Sequence, residues 1–332
     1  MADVVETAVR RVLIYRLGSL GDTVVALPSL RLVARAFPEA ERRMLTNFPI
    51  NAKAPPAEAI LKDTGLVQGY FRYAVGTRSV VELARLWWTL VRWRPEVLVY
   101  LAPVRGVKAA RRDAKFFRLC GIRRMIGVPV TEAMQQALVG ADGSLEPEAE
   151  RLARSVRELG EAHVEDPANW SLGLTAEEMA AGAASIAELG GRSLLAVSIG
   201  TKVQANDWGV ENWRALLGRV AALYPGYGLA MTGAAVDVPY SEAIAAGWRE
   251  GSAGPVVNLC GKLTPRESAA VFGLAKVFLG HDSGPMHLAA AMQTPCVAIF
   301  SARGKPRTWF PYGRQHRVVY HRVECWGCGL ET

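Results

Sequence analysis

Cysteine is scarce, at 5 in 332 residues, and Cys120, Cys260, Cys296, Cys325 and Cys328 follow no framework spacing. That excludes a disulfide-stapled scaffold, and small buried thiols are the expected role for the first three. No apolar run reaches the roughly 18 uncharged residues that a membrane-crossing helix needs. The opening MADVVETAVRR lacks the apolar core of a secretory signal, so the cytoplasm is the expected location. No helix-turn-helix, zinc-finger or RNA-binding signature is present, which leaves nucleic acid without a reader despite a net charge of +8.

What the chain does have is length for two domains of ordinary size and a composition that is 50% hydrophobic. The charge is uneven. Residues 1–165 hold 25 Lys and Arg against 18 Asp and Glu, whereas residues 166–332 hold 14 against 13. The densest positive segment, residues 105–124, opposes eight basic side chains to Asp113 alone. Such a segment attracts an anionic partner, and Arg111, Arg112 and Lys115 are the candidate contacts; a solvated helix face is the competing reading.

Residues 11–16 (RVLIYR) read as a strand, Leu17 to Gly21 as a glycine turn, and residues 23–37 as a helix bent or delayed by Pro28. Strand, glycine turn and helix form the opening unit of a doubly wound α/β fold. A dinucleotide fingerprint is absent, since only Gly18 and Gly21 match and the next strand, residues 43–48, ends without an acidic residue. The turn does present Asp22 at a helix N-terminus, a suitable post for a general base; capping the helix is the plainer role. Residues 78–93 predict a helix with Trp87, Trp88 and Trp93 beside Arg85, Arg92 and Arg94. That mixture suits a lipid interface, although core packing is the preferred reading. Strands are expected at 96–101 and 125–128, and residues 141–166 read as the passage to a second domain. The boundary is placed near Pro167, giving domains 1–166 and 167–332.

The second half repeats strand, turn and helix from Leu194 onward. Its densest stretch is residues 278–300, FLGHDSGPMHLAAAMQTPCVAIF. A buried strand runs into Ser283-Gly284-Pro285, a helix start with serine at the cap and proline in the first turn. Free backbone N–H groups and the positive end of the helix dipole there suit a phosphate or diphosphate. Asp282 could accept hydrogen bonds from ligand hydroxyls, and His287 could offer a ring N–H to a phosphate oxygen. Plain capping and partial burial compete with both roles.

These residues together resemble glycosyltransferase family 9, the ADP-heptose:lipopolysaccharide heptosyltransferase group. The resemblance rests on RLGSLGD with Leu27-Pro28, on Trp208 and Trp213 after Gly200-Thr201, on Leu259 to Thr264, and above all on DSGPMHLAA at 282–290. It implies the GT-B fold, two facing Rossmann-like domains with a cleft between, binding acceptor on the first and nucleotide-sugar on the second. It further implies an inverting transfer with Asp22 as base and the leaving diphosphate held by the Ser283–His287 turn, Thr201 and Lys202. Asp282 would then hold sugar hydroxyls, and Asp237 lies near the place of the family's ribose-binding acid. No D-x-D motif occurs, so no metal or other cofactor is expected. The implied partners are ADP-heptose and an anionic glycan such as lipopolysaccharide core, with peripheral contact at the inner membrane. A non-catalytic nucleotide- or glycan-binding protein of the same fold, or a transferase using another donor, is the alternative. The sequence departs from the family in two places. Asn206 stands where relatives often carry a phosphate-binding lysine, and the chain stops soon after Cys325-Trp326-Gly327-Cys328. That C-x-x-C supplies two of the four ligands of a closed zinc site; His316 and His321 are nearby, but an unmetallated loop is expected.

Overall fold

A computed structural model describes residues 9–48, 55–201, 203–251, 254–304, 306–324 and 327–329. The chain divides into two compact units. The first holds Met1–Ile50, Pro56–Val139 and Glu148–Asn169. The second takes Trp170–Thr332 together with Gly140–Pro147, so the expected passage at 141–166 is split between them.

In the first unit β1 (Arg11–Tyr15), α1 (Leu20–Val25), α2 (Leu27–Ala36) and β2 (Glu41–Asn47) come first, then α3 (Glu58–Leu61), β3 (Gly69–Tyr73) and α4 (Val80–Trp93). After these follow β4 (Val97–Tyr100), α5 (Val107–Leu119), β5 (Arg124–Ile126), α6 (Glu132–Gln135) and α7 (Glu148–Ser155). The strands pair in parallel in the order β3-β2-β1-β4-β5. The apolar runs of β1 and β4 are almost wholly buried, as strands covered by helices on both faces must be. The single helix expected over 23–37 is two, because Pro28 sits in the first turn of α2 and cannot donate back into α1. Strand β3 went unforeseen; its GYFRY is a half-exposed edge strand without clean alternation. Core packing, preferred from sequence for the α4 tryptophans, holds for Trp93, which packs on Phe71 and donates its indole N–H to Glu41 Oε2 at 3.1 Å. It fails for Trp87 and Trp88, both exposed.

The second unit runs α8 (Ala176–Ser185), β6 (Ser193–Ser198), α9 (Val210–Leu223), β7 (Tyr227–Thr232), α10 (Val238–Gly251) and β8 (Val256–Asn258). It continues through α11 (Pro265–Leu274), β9 (Val277–His281), α12 (Gly284–Ala291), β10 (Cys296–Phe300) and β11 (Arg317–Tyr320). Its parallel sheet is ordered β11-β10-β9-β6-β7-β8. Trp213, Leu217, Ile244 and Trp248 fill the core on one of its faces. Each sheet has one place where the winding reverses, between β1 and β4 in the first and between β6 and β9 in the second. Loops leaving the C-terminal ends of such a pair diverge and open a crevice where ligands of open α/β sheets bind. The chemistry-bearing turns read from the sequence leave β1, β6 and β9.

Candidate functional site

In the first unit the turn after β1 is built around Asp22. Gly18 has φ +126°, and a Cβ placed there would lie 2.2 Å from Asp22 Cγ, so only glycine lets the carboxylate fold back over the turn. Asp22 Oδ2 accepts the Ser19 N–H at 2.8 Å and lies 3.3 Å from Ser19 Oγ, which is capping-box geometry at the start of α1. The side chain is nonetheless 23% exposed. Its other oxygen stands 3.7 Å from Arg16 Nη2. Arg16, fully buried, donates to Asp22 O from Nε at 3.0 Å and Nη2 at 2.5 Å, and from Nη1 to Leu101 O at 2.6 Å. Glu148 Oε1 lies 3.5 Å from Nη1, and Arg151 holds the same carboxylate through both oxygens, donating from Nε to Oε2 at 2.7 Å and from Nη2 to Oε1 at 2.8 Å. The sequence marked Arg16 as a charged residue ending an apolar strand and opening the RLGSLGD turn, but gave no sign of its partner on α7, 132 positions away.

Beside this turn the C-terminal ends of β1, β3 and β4 deliver Tyr15, Tyr73 and Tyr100. The hydroxyls of Tyr15 and Tyr73 meet at 2.5 Å. Arg105 Nη2 donates to Tyr15 at 3.1 Å and Tyr100 at 3.3 Å and pairs with Asp113, which also accepts the Tyr100 O–H at 2.9 Å. Burial pushes the Tyr15 hydroxyl far above its ordinary pKa and Tyr100 to about 12, so both keep their protons. Arg105 Nε is buried with no hydrogen-bond partner among the described residues. The cluster was not read from the sequence, where tyrosines 27 or more residues apart carry no joint pattern. Arg111, Arg112 and Lys115 lie exposed along α5, with Arg111 Nε 3.4 Å from Val130 O and Arg112 Nη2 3.3 Å from Asp113 Oδ1.

In the second unit a residue absent from the sequence reading holds the site. His281 ends β9, is fully buried, and accepts Trp208 N–H at 3.2 Å and the Trp213 indole N–H at 2.9 Å, both on Nε2. Two donors on Nε2 leave the ring proton to Nδ1, which lies 3.0 Å from Ile199 O. Burial lowers the pKa of this imidazole and favours the neutral form these bonds require. The ring thereby ties the β6 end and the segment reaching Trp208 to the end of β9.

The turn following His281 is the expected helix start. Ser283 is the N-cap of α12, yet its hydroxyl caps nothing; it is buried with no hydrogen-bond partner among the described residues. Gly284 and Pro285 open the helix, leaving first-turn backbone donors without intrahelical acceptors. Asp282 is half-buried, and its backbone N–H reaches Ile299 O at 3.3 Å. His287 is only 5% exposed and packs its ring against Trp309. Thr201 donates its hydroxyl to Val203 O at 3.1 Å and accepts Val203 N–H at 3.2 Å, holding its own loop; Lys202 lies outside the described residues. Asn206 is buried and takes the Ser301 hydroxyl at 2.7 Å. Asp237 is buried on a short 3-10 turn where its Oδ2 accepts Ala234 N–H at 2.9 Å. A Cβ on Gly200 would come within 2.6 Å of that oxygen, so Asp237 and the Thr201 turn meet at the ends of β6 and β7. The β6 and β9 crevice thus gathers an orphan hydroxyl, a helix N-terminus and the Thr201 loop, all able to face an anion.

Among the described residues no group of three or more His, Cys, Asp or Glu side chains is placed to hold a metal ion. Cys325 lies outside the described residues, Cys328 is exposed, and His316 is occupied by Cys296 N–H and Tyr312 O, each at 3.1 Å.

The model of glycosyltransferase family 9 (heptosyltransferase) matches residues 144–329. Lipopolysaccharide heptosyltransferase 3 of Escherichia coli is 46% identical over 48 residues, a match spanning 14% of this chain and 14% of that protein. The crystal structure of a glycosyl transferase family 9 protein from Veillonella parvula superposes with a TM-score of 0.68 at 15% identity, covering 95% of this chain and 88% of that one. E. coli heptosyltransferase WaaC with ADP-2-deoxy-2-fluoro heptose gives 0.62 at 17% identity, covering 96% and 97%. At those identities the structures share the fold with this chain.

Proposed function

The chain belongs to glycosyltransferase family 9, and from that membership we propose that it moves a heptose from ADP-heptose to a hydroxyl of an anionic glycan, with lipopolysaccharide core as the acceptor class. The transfer inverts the anomeric carbon and uses no metal ion. It takes place on the cytoplasmic side of the inner membrane. The donor binds residues 167–332 and the acceptor residues 1–166. The observation that carries the reading is the orphan Ser283 hydroxyl at the N-terminus of α12, at the reversal point of the second sheet. A diphosphate there meets backbone N–H groups, the helix dipole and the loop of Thr201 and Lys202.

Asp22 takes the proton of the acceptor hydroxyl as its oxygen bonds to the anomeric carbon. The bond from that carbon to the diphosphate breaks on the opposite side, and ADP leaves with the electron pair and the charge. Asp282 and Asp237 hold donor hydroxyls, His287 backs the phosphate turn, and Arg111, Arg112 and Lys115 attract the acceptor. The test is thermal shift with ADP-, GDP- and UDP-sugars. A ligand at about 100 times its Kd stabilises by roughly 2.7 kcal/mol, so the ADP-sugar alone is expected to raise Tm. Stabilisation by a GDP- or UDP-sugar instead would reassign the donor. The capping geometry of Asp22 favours one second reading, a binding protein in which that carboxylate serves structure only. It predicts no turnover with any sugar nucleotide that binds.

A further inference from the structure

Helix α4 is apolar in sequence, VVELARLWWTLVRW, yet only Leu86 and Leu90 of its side chains are buried. A helix that faces water on most of its circumference normally carries polar residues there. Here Val80, Leu83, Ala84, Trp87 and Trp88 follow the spacing i, i+3, i+4, i+7, i+8 and so share one face, and that face is the exposed one. Val81 is 63% exposed and Trp88 58%. The Trp87 indole N–H donates to Leu119 O at 2.9 Å, which brings the exposed Leu119 at the end of α5 into the same patch. The patch therefore runs from the middle of α4 to the C-terminal end of α5 without a break, as interaction surfaces do.

The chemistry around it selects the occupant. Arg78, Arg85, Arg92 and Arg118 are exposed on α4, beside its start or on α5, and none pairs with a carboxylate among the described residues. A second copy docked face to face would set these cations against their own counterparts. An anionic lipid surface attracts them, lets their aliphatic stems lie along the apolar face, and suits indole rings at headgroup depth. At 14 residues the helix is roughly 21 Å long, short of the roughly 30 Å hydrocarbon core, so it lies in the interface. No helix among the described residues is long and apolar enough to cross a membrane.

We propose that the outward face of α4, with Leu119, is a docking surface for an anionic phospholipid bilayer. It gives the peripheral membrane contact implied by the family resemblance a defined surface, and it requires neither the donor nor the acceptor of the proposed transfer. Vesicle partitioning is read without either substrate, so its failure leaves the transferase reading untouched. Flotation of the full chain with phosphatidylcholine vesicles, with and without phosphatidylglycerol, is the experiment. The wild type is expected to float with the phosphatidylglycerol vesicles and to stay largely free with phosphatidylcholine alone. V81D/W88D should lower partitioning at least tenfold with an unchanged Tm, since both side chains stand in water. R85Q/R118Q should lower it about 25-fold at low salt, about fivefold per charge. The proposal is overturned if the wild type does not float, if V81D/W88D floats like the wild type, or if the patch instead drives a concentration-dependent dimer that V81D/W88D dissolves.

Discussion

Replacing His281 by Phe keeps a flat ring in the core and removes every hydrogen bond the imidazole makes. Three groups lose their partner: Trp208 N–H, the Trp213 indole N–H and Ile199 C=O. Trp208 is partly exposed and its N–H can turn to water, whereas Trp213 and Ile199 are buried and cannot. An unsatisfied buried polar group costs about 1–3 kcal/mol, so two of them cost about 4 kcal/mol, a large part of a stability of about 5–15 kcal/mol. At about 2–4 °C per kcal/mol for a domain of this size, Tm should fall by about 10 °C. Acidity supplies a second signature. Burial holds the folded pKa of His281 below its unfolded value near 6.5, so as pH falls below about 6.5 the unfolded chain takes up a proton first and stability declines; above that pH the contribution is complete. The buried His316 is shifted in the same direction, so H281F should flatten the acid limb without abolishing it. Thermal unfolding followed by circular dichroism at about pH 8 and about pH 5.5, on wild type and H281F, measures both effects. The donor KM should rise as well, because the segment from Ile199 to Trp208 loses its anchor. A Tm within about 2 °C of wild type together with an unchanged acid limb would refute the clamp.

The Asp22→Asn variant should retain ADP-heptose affinity while turnover falls about 10²- to 10⁴-fold, as for loss of a positioned base; equal turnover by radiolabel transfer would remove Asp22 from the mechanism. Arg16→Met should destabilise by about 3–5 kcal/mol, since it strands Glu148 beside Arg151 alone and leaves the Leu101 and Asp22 carbonyls unpaired; a denaturant midpoint close to wild type would contradict this. Replacing Ser283 by Ala should change stability by less than about 0.5 kcal/mol, because its hydroxyl caps nothing, yet weaken donor binding about tenfold by calorimetry; a stability loss without an affinity loss would make Ser283 structural. Neutralising Arg111, Arg112 and Lys115 together should raise the acceptor KM and flatten its salt dependence without moving donor affinity, and the absence of any effect at low salt would leave α5 a solvated face.

Local pattern carried much of the architecture. Apolar β-branched runs followed by glycine turns and helix starts repeat in both halves, and each is a short-range signal set by backbone sterics and capping chemistry. The Ser283-Gly284-Pro285 start and the Gly18–Asp22 turn were legible for that reason, as was a break at Pro28, whose missing N–H ends one helix and opens the next. Beyond local pattern, tertiary structure decided. The bond from Arg16 to Glu148 joins residues 132 apart, and Tyr15, Tyr73, Tyr100 and Arg105 converge only because the sheet order sets the ends of β1 and β4 next to each other, with β3 one strand beyond β2. Position 281 reads as one more residue of a buried strand until Trp208 and Trp213 arrive from α9 and its preceding loop to share its ring nitrogen. The tryptophans of α4 mark the same limit from the other side. An apolar helical stripe has one periodicity whether its own chain covers it or something else does, so only the packed structure could show that Leu86 and Leu90 face the core while Trp87 and Trp88 face out.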